Sequence, residues 1–191
     1  MVSASPRSRA VSPLLVLIAL ASFTLGLLGG GVAYARSPGE VVPHQPGTNA
    51  WPVHVVLLVA AAASAVVVRL RRGTWSWLWT PIGRKAARRC GATLRSTFQG
   101  FPAAARTIGA MILIAVLLES CARSGYQVLG ALDATETVNA WGGPTYLGAL
   151  LCHGLDLSLI IAACAMLLTA VLGPDPGDAR TEPIPVVQPN A

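Results

Sequence analysis

Charge is scarce in this chain, 12% of its 191 residues, and is missing altogether from residues 14–35, 55–68, 107–118 and 157–173. Length alone would suggest one or two soluble domains, but uncharged runs of that kind exclude an ordinary soluble interior. No acidic residue lies between Arg69 and Arg106, so the basic residues there have no local counter-charge. There is no Cys-x-x-Cys, which leaves a thiol oxidoreductase without its motif. Nor is there a P-loop, a dinucleotide-binding glycine fingerprint, a His-Glu-x-x-His pair or a Gly-x-Ser-x-Gly elbow. Nucleotide-dependent, zinc-protease and serine-hydrolase chemistries therefore lack their usual carriers.

What is present is apolar and comes in blocks. A bilayer core takes roughly 20 apolar residues per helix, and flanking side chains complete shorter runs by snorkelling. The blocks predict four spans, at about residues 14–35, 51–69, 102–121 and 145–172. The third has only a short uncharged centre between Arg106 and Glu119 and depends on its flanks. The expected fold is thus all-α, a polytopic membrane protein with a four-transmembrane-helix bundle over residues 1–173 and a disordered, proline-rich tail over 174–191.

The first span has an alternative reading. Arg7 and Arg9, an apolar run and Ala33-Tyr34-Ala35 match the three parts of a cleaved secretory signal. The run from Leu14 to Gly31 is longer than the roughly 7–15 residues of a signal core, which favours a retained span. Ser22, Gly26 and Gly30 recur at every fourth residue and lay a small-residue groove along one face, where another helix can approach closely.

Fourteen Lys plus Arg stand against eight Asp plus Glu, and their placement reads as topology rather than nucleic-acid binding. Arg69, Arg71, Arg72, Arg84, Lys85, Arg88, Arg89, Arg95 and Arg106 lie between the second and third spans, whereas the two predicted outer loops hold only Arg36 and Arg123. This bias predicts a multi-pass protein of the cytoplasmic membrane with both termini and the central loop in the cytoplasm. Trp51, Trp141, Tyr34, Tyr126 and Tyr146 near one set of helix ends, and Trp75, Trp77 and Trp79 near the other, match the aromatic belts of a bilayer. Thirteen of the fourteen basic residues are Arg, a bias that points to a GC-rich bacterial genome.

Within the central loop, Thr80-Pro81 reads as a helix start, and Ala86, Cys90, Leu94 and Phe98 recur at helical spacing. Arg84, Lys85, Arg88, Arg89 and Arg95 cover much of the remaining surface. A basic interfacial helix over about 81–98 is expected, with the anionic lipids of the inner leaflet as its partner.

Four ionisable residues fall in or beside the spans: His54, Glu119, His153 and Asp156. Buried charge is costly in lipid, so each needs a partner or a task. All four are expected near outer helix ends, at one shared depth. Two imidazoles and two carboxylates there could relay protons, bind a divalent metal such as zinc, or hold a charged substrate. His54 and His153 could also ligate a haem. The structural alternatives are a boundary ring of mutually satisfied polar groups and, for Glu119, an i, i+4 pair with Arg123. Cys121 and Cys152 both fall on the predicted outer side, where a disulfide is permitted. The expected role is a non-enzymatic component or partner subunit, homo-oligomeric or joined to another membrane protein, with an outward-facing transport or proton/metal site as the alternative. Metal and cofactor are left open. A final detail is the tripeptide Asn-Ala-Trp, which precedes both the second span (residues 49–51) and the fourth (139–141).

Overall fold

The computed structural model of the chain describes residues 11–37, 39, 43–75 and 80–177. Arg7, Arg9, Trp77, Trp79 and the tail beyond residue 177 lie outside the described residues. The described chain is all-helical: α1 (Pro13–Arg36), α2 (Trp51–Arg72), α3 (Arg84–Arg95), α4 (Phe101–Gly130), α5 (Ala134–Thr137) and α6 (Tyr146–Val171). Helices α1, α2, α4 and α6 are each long and apolar enough to cross a membrane. Proline stands in the first two positions of α1, α2 and α4, where its missing N–H has no helical partner to lose. Helix α2 stops at Gly73, whose φ of 68° is the left-handed cap conformation.

Lipid tails give apolar helices no reason to prefer each other, so the spans meet where backbones can come close. Helix α1 packs on α4, α4 on α6, and α2 meets α6, which orders the spans α1, α4, α6, α2. The α1–α4 contact is parallel and regular. The Ser22 hydroxyl donates to the Leu118 carbonyl at 2.6 Å. One turn on, Gly26 lies against the Ala122 backbone, and Gly30 against that of Tyr126. A methyl group on Gly26 would strike the Ala122 carbonyl, so the groove read from Ser22, Gly26 and Gly30 is the seam on which α4 rests. Tyr146 hydroxyl to Val128 carbonyl at one end of α6, and Val171 beside Gly109 at the other, make the α4–α6 pair antiparallel.

The third span corrects the sequence reading. Expected to end near 121, α4 runs to Gly130, 30 residues in all, or about 45 Å at 1.5 Å per residue. Glu119 and Arg123 end the apolar run without ending the helix, because both side chains sit on its exposed side.

Helix α3 lies across the ends of α4 and α6, and its docking is polar. Arg89 donates through Nε to the Gly173 carbonyl at 2.7 Å and through Nη2 to the Thr169 carbonyl at 3.0 Å, with a further bond to that of Leu172. It thereby satisfies carbonyls that the last turn of α6 leaves open, at the negative end of the helix dipole. Thr93 accepts from the Gly173 amide at 3.0 Å, and Thr107 of α4 donates to the Thr93 carbonyl at 3.0 Å. Arg88 grips the buried Asp175 with two bonds, 3.2 Å from Nε and 2.7 Å from Nη2. Residues 174–177, assigned to the tail from sequence, are therefore tied to α3. The Ser12 amide adds the start of α1, donating to the Ile82 carbonyl at 2.8 Å.

These bonds also decide which side of α3 faces the bundle. Ala86 and Thr93 are buried against the bundle, whereas Leu94 and Phe98, on the stripe the sequence assigns to the membrane surface, are exposed. Hydrogen bonding by Arg89 and Thr93, not the apolar periodicity, sets the docked side.

The Arg88 guanidinium beside Asp175 holds its carboxyl down at about 2. Because the folded value lies below the ordinary 3.8, the stability this carboxylate adds is complete above about pH 4 and is lost only as pH falls through about 2. Asp175→Asn should therefore lower thermal stability in detergent by a similar amount at every pH from about 5 to about 8, by roughly 1.5–3 kcal/mol for a charge-assisted bond. A loss that appears only above neutral pH would contradict the clamp.

Candidate functional site

The second polar layer is at the opposite end of the bundle, around the first turn of α2. His54 is 3% exposed and is the buried residue of α2. Its Nδ1 lies 2.8 Å from the Ala50 carbonyl and its Nε2 lies 3.2 Å from Asp156 Oδ2. A carbonyl only accepts, so Nδ1 carries a hydrogen. Nε2 then meets the carboxyl in one of two ways. It donates as imidazolium to a carboxylate, or it accepts from a protonated carboxyl. Either way one proton lies between the two atoms and the pair is neutral as a whole, which is the form in which an ionisable pair sits most cheaply near hydrocarbon.

The chain that precedes α6 covers the His54 side of this pair. Trp141 places its ring 6.2 Å from the His54 ring, tilted by 55°. The Ala50 amide donates to the Trp141 carbonyl at 2.8 Å, and the Trp51 indole N–H to the Gly142 carbonyl at 2.9 Å. The Gln45 amide donates to Asn139 Oδ1 at 2.8 Å, and the ring of His44 donates from Nδ1 to the Val138 carbonyl at 2.7 Å. The two Asn-Ala-Trp tripeptides thus lie side by side, each just before its own helix. The 139–145 segment can lie down on α6 because Gly142 and Gly148 touch through their backbones, where a side chain on either would collide. Thr145 then caps α6, its hydroxyl accepting from the Gly148 amide at 3.1 Å.

The other candidates are placed differently. The α4–α6 contacts put Glu119 close to the level of Asp156, but on the far side of α4. There it lines a shallow groove with Gly26, Gly29, Ala122, Arg123 and Tyr126. Glu119 and Arg123 do not form an ion pair among the described residues. His153 is half-buried and bonds back to its own helix, Nδ1 to the Ala149 carbonyl at 3.2 Å. The structure brings together His54 and Asp156, and it does not bring Glu119 or His153 to them. Cys152 is buried on α6 and Cys121 half-buried on α4, and both thiols are free, so the disulfide permitted by the sequence is not formed here.

Among the described residues no group of three or more His, Cys, Asp or Glu side chains is arranged to hold a metal ion. Both ring nitrogens of His54 are engaged, so ligation of zinc or haem iron through it requires breaking a bond that it makes here. Trp141 and the backbone groups of Ala50 and Gly142 are part of the site that residue-by-residue reading did not assign. Their signal was the repeated tripeptide, which acquires meaning only once its two copies are seen in contact. The buried Ser120 hydroxyl, which has no partner among the described residues, was likewise unassigned.

The chain matches no protein-family model, no curated protein and no solved structure. The reading of its function rests on its own geometry.

The pair makes distinct demands on substitutions. Asp156→Asn keeps one bond, since the amide can donate to neutral Nε2, whereas Asp156→Ala and His54→Ala each remove it. The alanine variants should lose roughly 1–3 kcal/mol in detergent denaturation, the range for a stranded buried polar partner, and Asp156→Asn less. Equal losses for all three would show that the hydrogen bond is not what the site depends on.

Proposed function

We propose that the protein is a small, non-enzymatic subunit of the cytoplasmic membrane that receives a helix of a partner membrane protein, or of a second copy, along α2. One observation carries this reading. Helices α1, α4 and α6 are packed along their lengths, but the bonds joining α2 to the rest come from residues 50–54. Beyond His54, α2 presents Val55, Val56, Leu58, Val59, Val66 and Val67 as exposed apolar side chains. Ala60 and Ser64, a small-residue step of four, lie among them and allow close approach of another backbone. The regular seam between α1 and α4 supports α1 as a retained span. The arginines at the α3 end support a cytoplasmic position for α3 and both termini.

A second reading, proton handling at the His54–Asp156 pair, is favoured by a separate observation. His54 is 3% exposed but the Asp156 side chain 28%, so the shared proton lies between a sealed base and an acid open to its surroundings. That is the arrangement of a relay end rather than of a fully enclosed tie.

Reporter fusions at residues 45, 87, 134 and 185 should read outside, inside, outside, inside; residue 87 on the outside would sink the orientation. A photo-crosslinking residue at Ser64 should yield a discrete protein adduct in native membranes, and one at Leu20 of α1 should not. Lipid adducts alone at Ser64 would refute the subunit reading. Proton flux in liposomes that is lost in Asp156→Asn would favour the second reading instead.

A further inference from the structure

Three sides of α3 have different surroundings. At 100° per residue, Ala86, Cys90 and Thr93 turn toward the bundle, and Arg84, Arg88 and Arg95 lie opposite. Between these sides runs a flank of Ala87 and Leu94, continued by Phe98 in the turn after the helix. Leu94 is 41% exposed, Phe98 98%, and Phe101, the first residue of α4, 86%. Rings so bare are out of place in water. They stand at the corner where a membrane span begins, which is the level of the headgroups.

We propose that Leu94, Phe98 and Phe101 form a wedge that enters the headgroup–acyl boundary of an anionic leaflet, with Arg84 and Arg95 meeting lipid phosphates above it. Three features of the structure support it. The wedge is continuous with α4, so its depth is set by the span that it starts. It lies beside, and not on, the face that α3 uses to hold α6. The charge around it is of one sign: residues 69–106 hold nine basic residues and no acid, and the acid that α3 does grip, Asp175, comes from beyond α6 and is neutralised by Arg88. Arg69 at the end of α2 lies over the ring of Trp75, 6.0 Å from its centroid, adding an aromatic–cation pair of the kind found at membrane interfaces. An apolar edge under a basic surface is the form of a helix lying in an anionic interface. The proposal rests on the four-span reading and not on α2 taking a partner.

The test uses the full-length protein with Cys90, Cys121, Cys152 and Cys164 replaced by alanine, in nanodiscs with and without phosphatidylglycerol. An environment-sensitive fluorophore is attached at Phe98→Cys or, on the basic side of α3 and at its far end, at Arg84→Cys. The probe at 98 should be quenched by a nitroxide placed shallow in the acyl chains and shielded several-fold from iodide relative to the probe at 84. Shielding at 98 should increase with phosphatidylglycerol and weaken with salt. Equal iodide access at 98 and 84 in both lipids would overturn the wedge, and equal shielding with and without phosphatidylglycerol would overturn its anionic preference. If the cysteine-free chain does not fold, hydrogen exchange of the unaltered protein over 94–101 in the same discs decides it. Protection that rises with phosphatidylglycerol supports the proposal, and no difference refutes it.

Discussion

Inside a bilayer, burying an apolar side chain against another helix gains little over leaving it in lipid, so an assembly of such helices depends on close backbone approach and on polar groups that have nowhere else to bond. Both are used here, in different places. The α1–α4 seam uses the first, with Gly26 and Gly30 removing the side chains that would hold the backbones apart. Its parallel direction follows from topology, since two spans separated by one other crossing must run the same way.

The polar ties are concentrated at the two ends, where water and headgroups reduce the cost of charge. At the α3 end, Arg89 serves the open carbonyls of α6 and Arg88 the carboxylate of Asp175. A lysine would have to reach these carbonyls from a single nitrogen, whereas Arg89 reaches them from Nε and Nη2 together. At the opposite end one imidazole and one carboxyl join α2 to α6, helped by backbone bonds from Ala50 and by the Trp51 indole. The two ends differ in consequence. The first gathers α1, α3, α4 and α6, whereas the second is the attachment of a single helix.

Much of this was legible in the residues. Hydropathy located all four spans because a hydrocarbon slab requires a minimum apolar run of every helix that crosses it, and the step of four from Ser22 to Gly30 marked the seam. The end of α4 was not legible, since Glu119 and Arg123 look like a boundary until the helix is seen to carry them on its exposed side. The docked side of α3 was not legible either. Its periodicity reads as a helix lying on lipid, and the groups that meet Arg89 and Thr93 belong to the end of a helix some 80 residues further along the chain. Among the four ionisable residues, the sequence could rank Asp156 as needing a partner. The choice of His54 over Glu119 depends on the order α1, α4, α6, α2, which no local pattern encodes. Asp175 stood in a segment whose prolines read as tail, and only its contact with Arg88 makes it part of the fold.

The central claim is that α2 is held through one proton shared by His54 and Asp156. Nitrogen-15 magnetic resonance of histidine-labelled protein in lipid reports it directly, with only three histidines to assign. The account predicts a His54 ring protonated at Nδ1 whose Nε2 signal is shifted by its hydrogen bond to Asp156 and moves on Asp156→Asn, while those of His44 and His153 stay in place. A His54 ring protonated only at Nε2, or an Nε2 signal indifferent to Asp156→Asn, would contradict it.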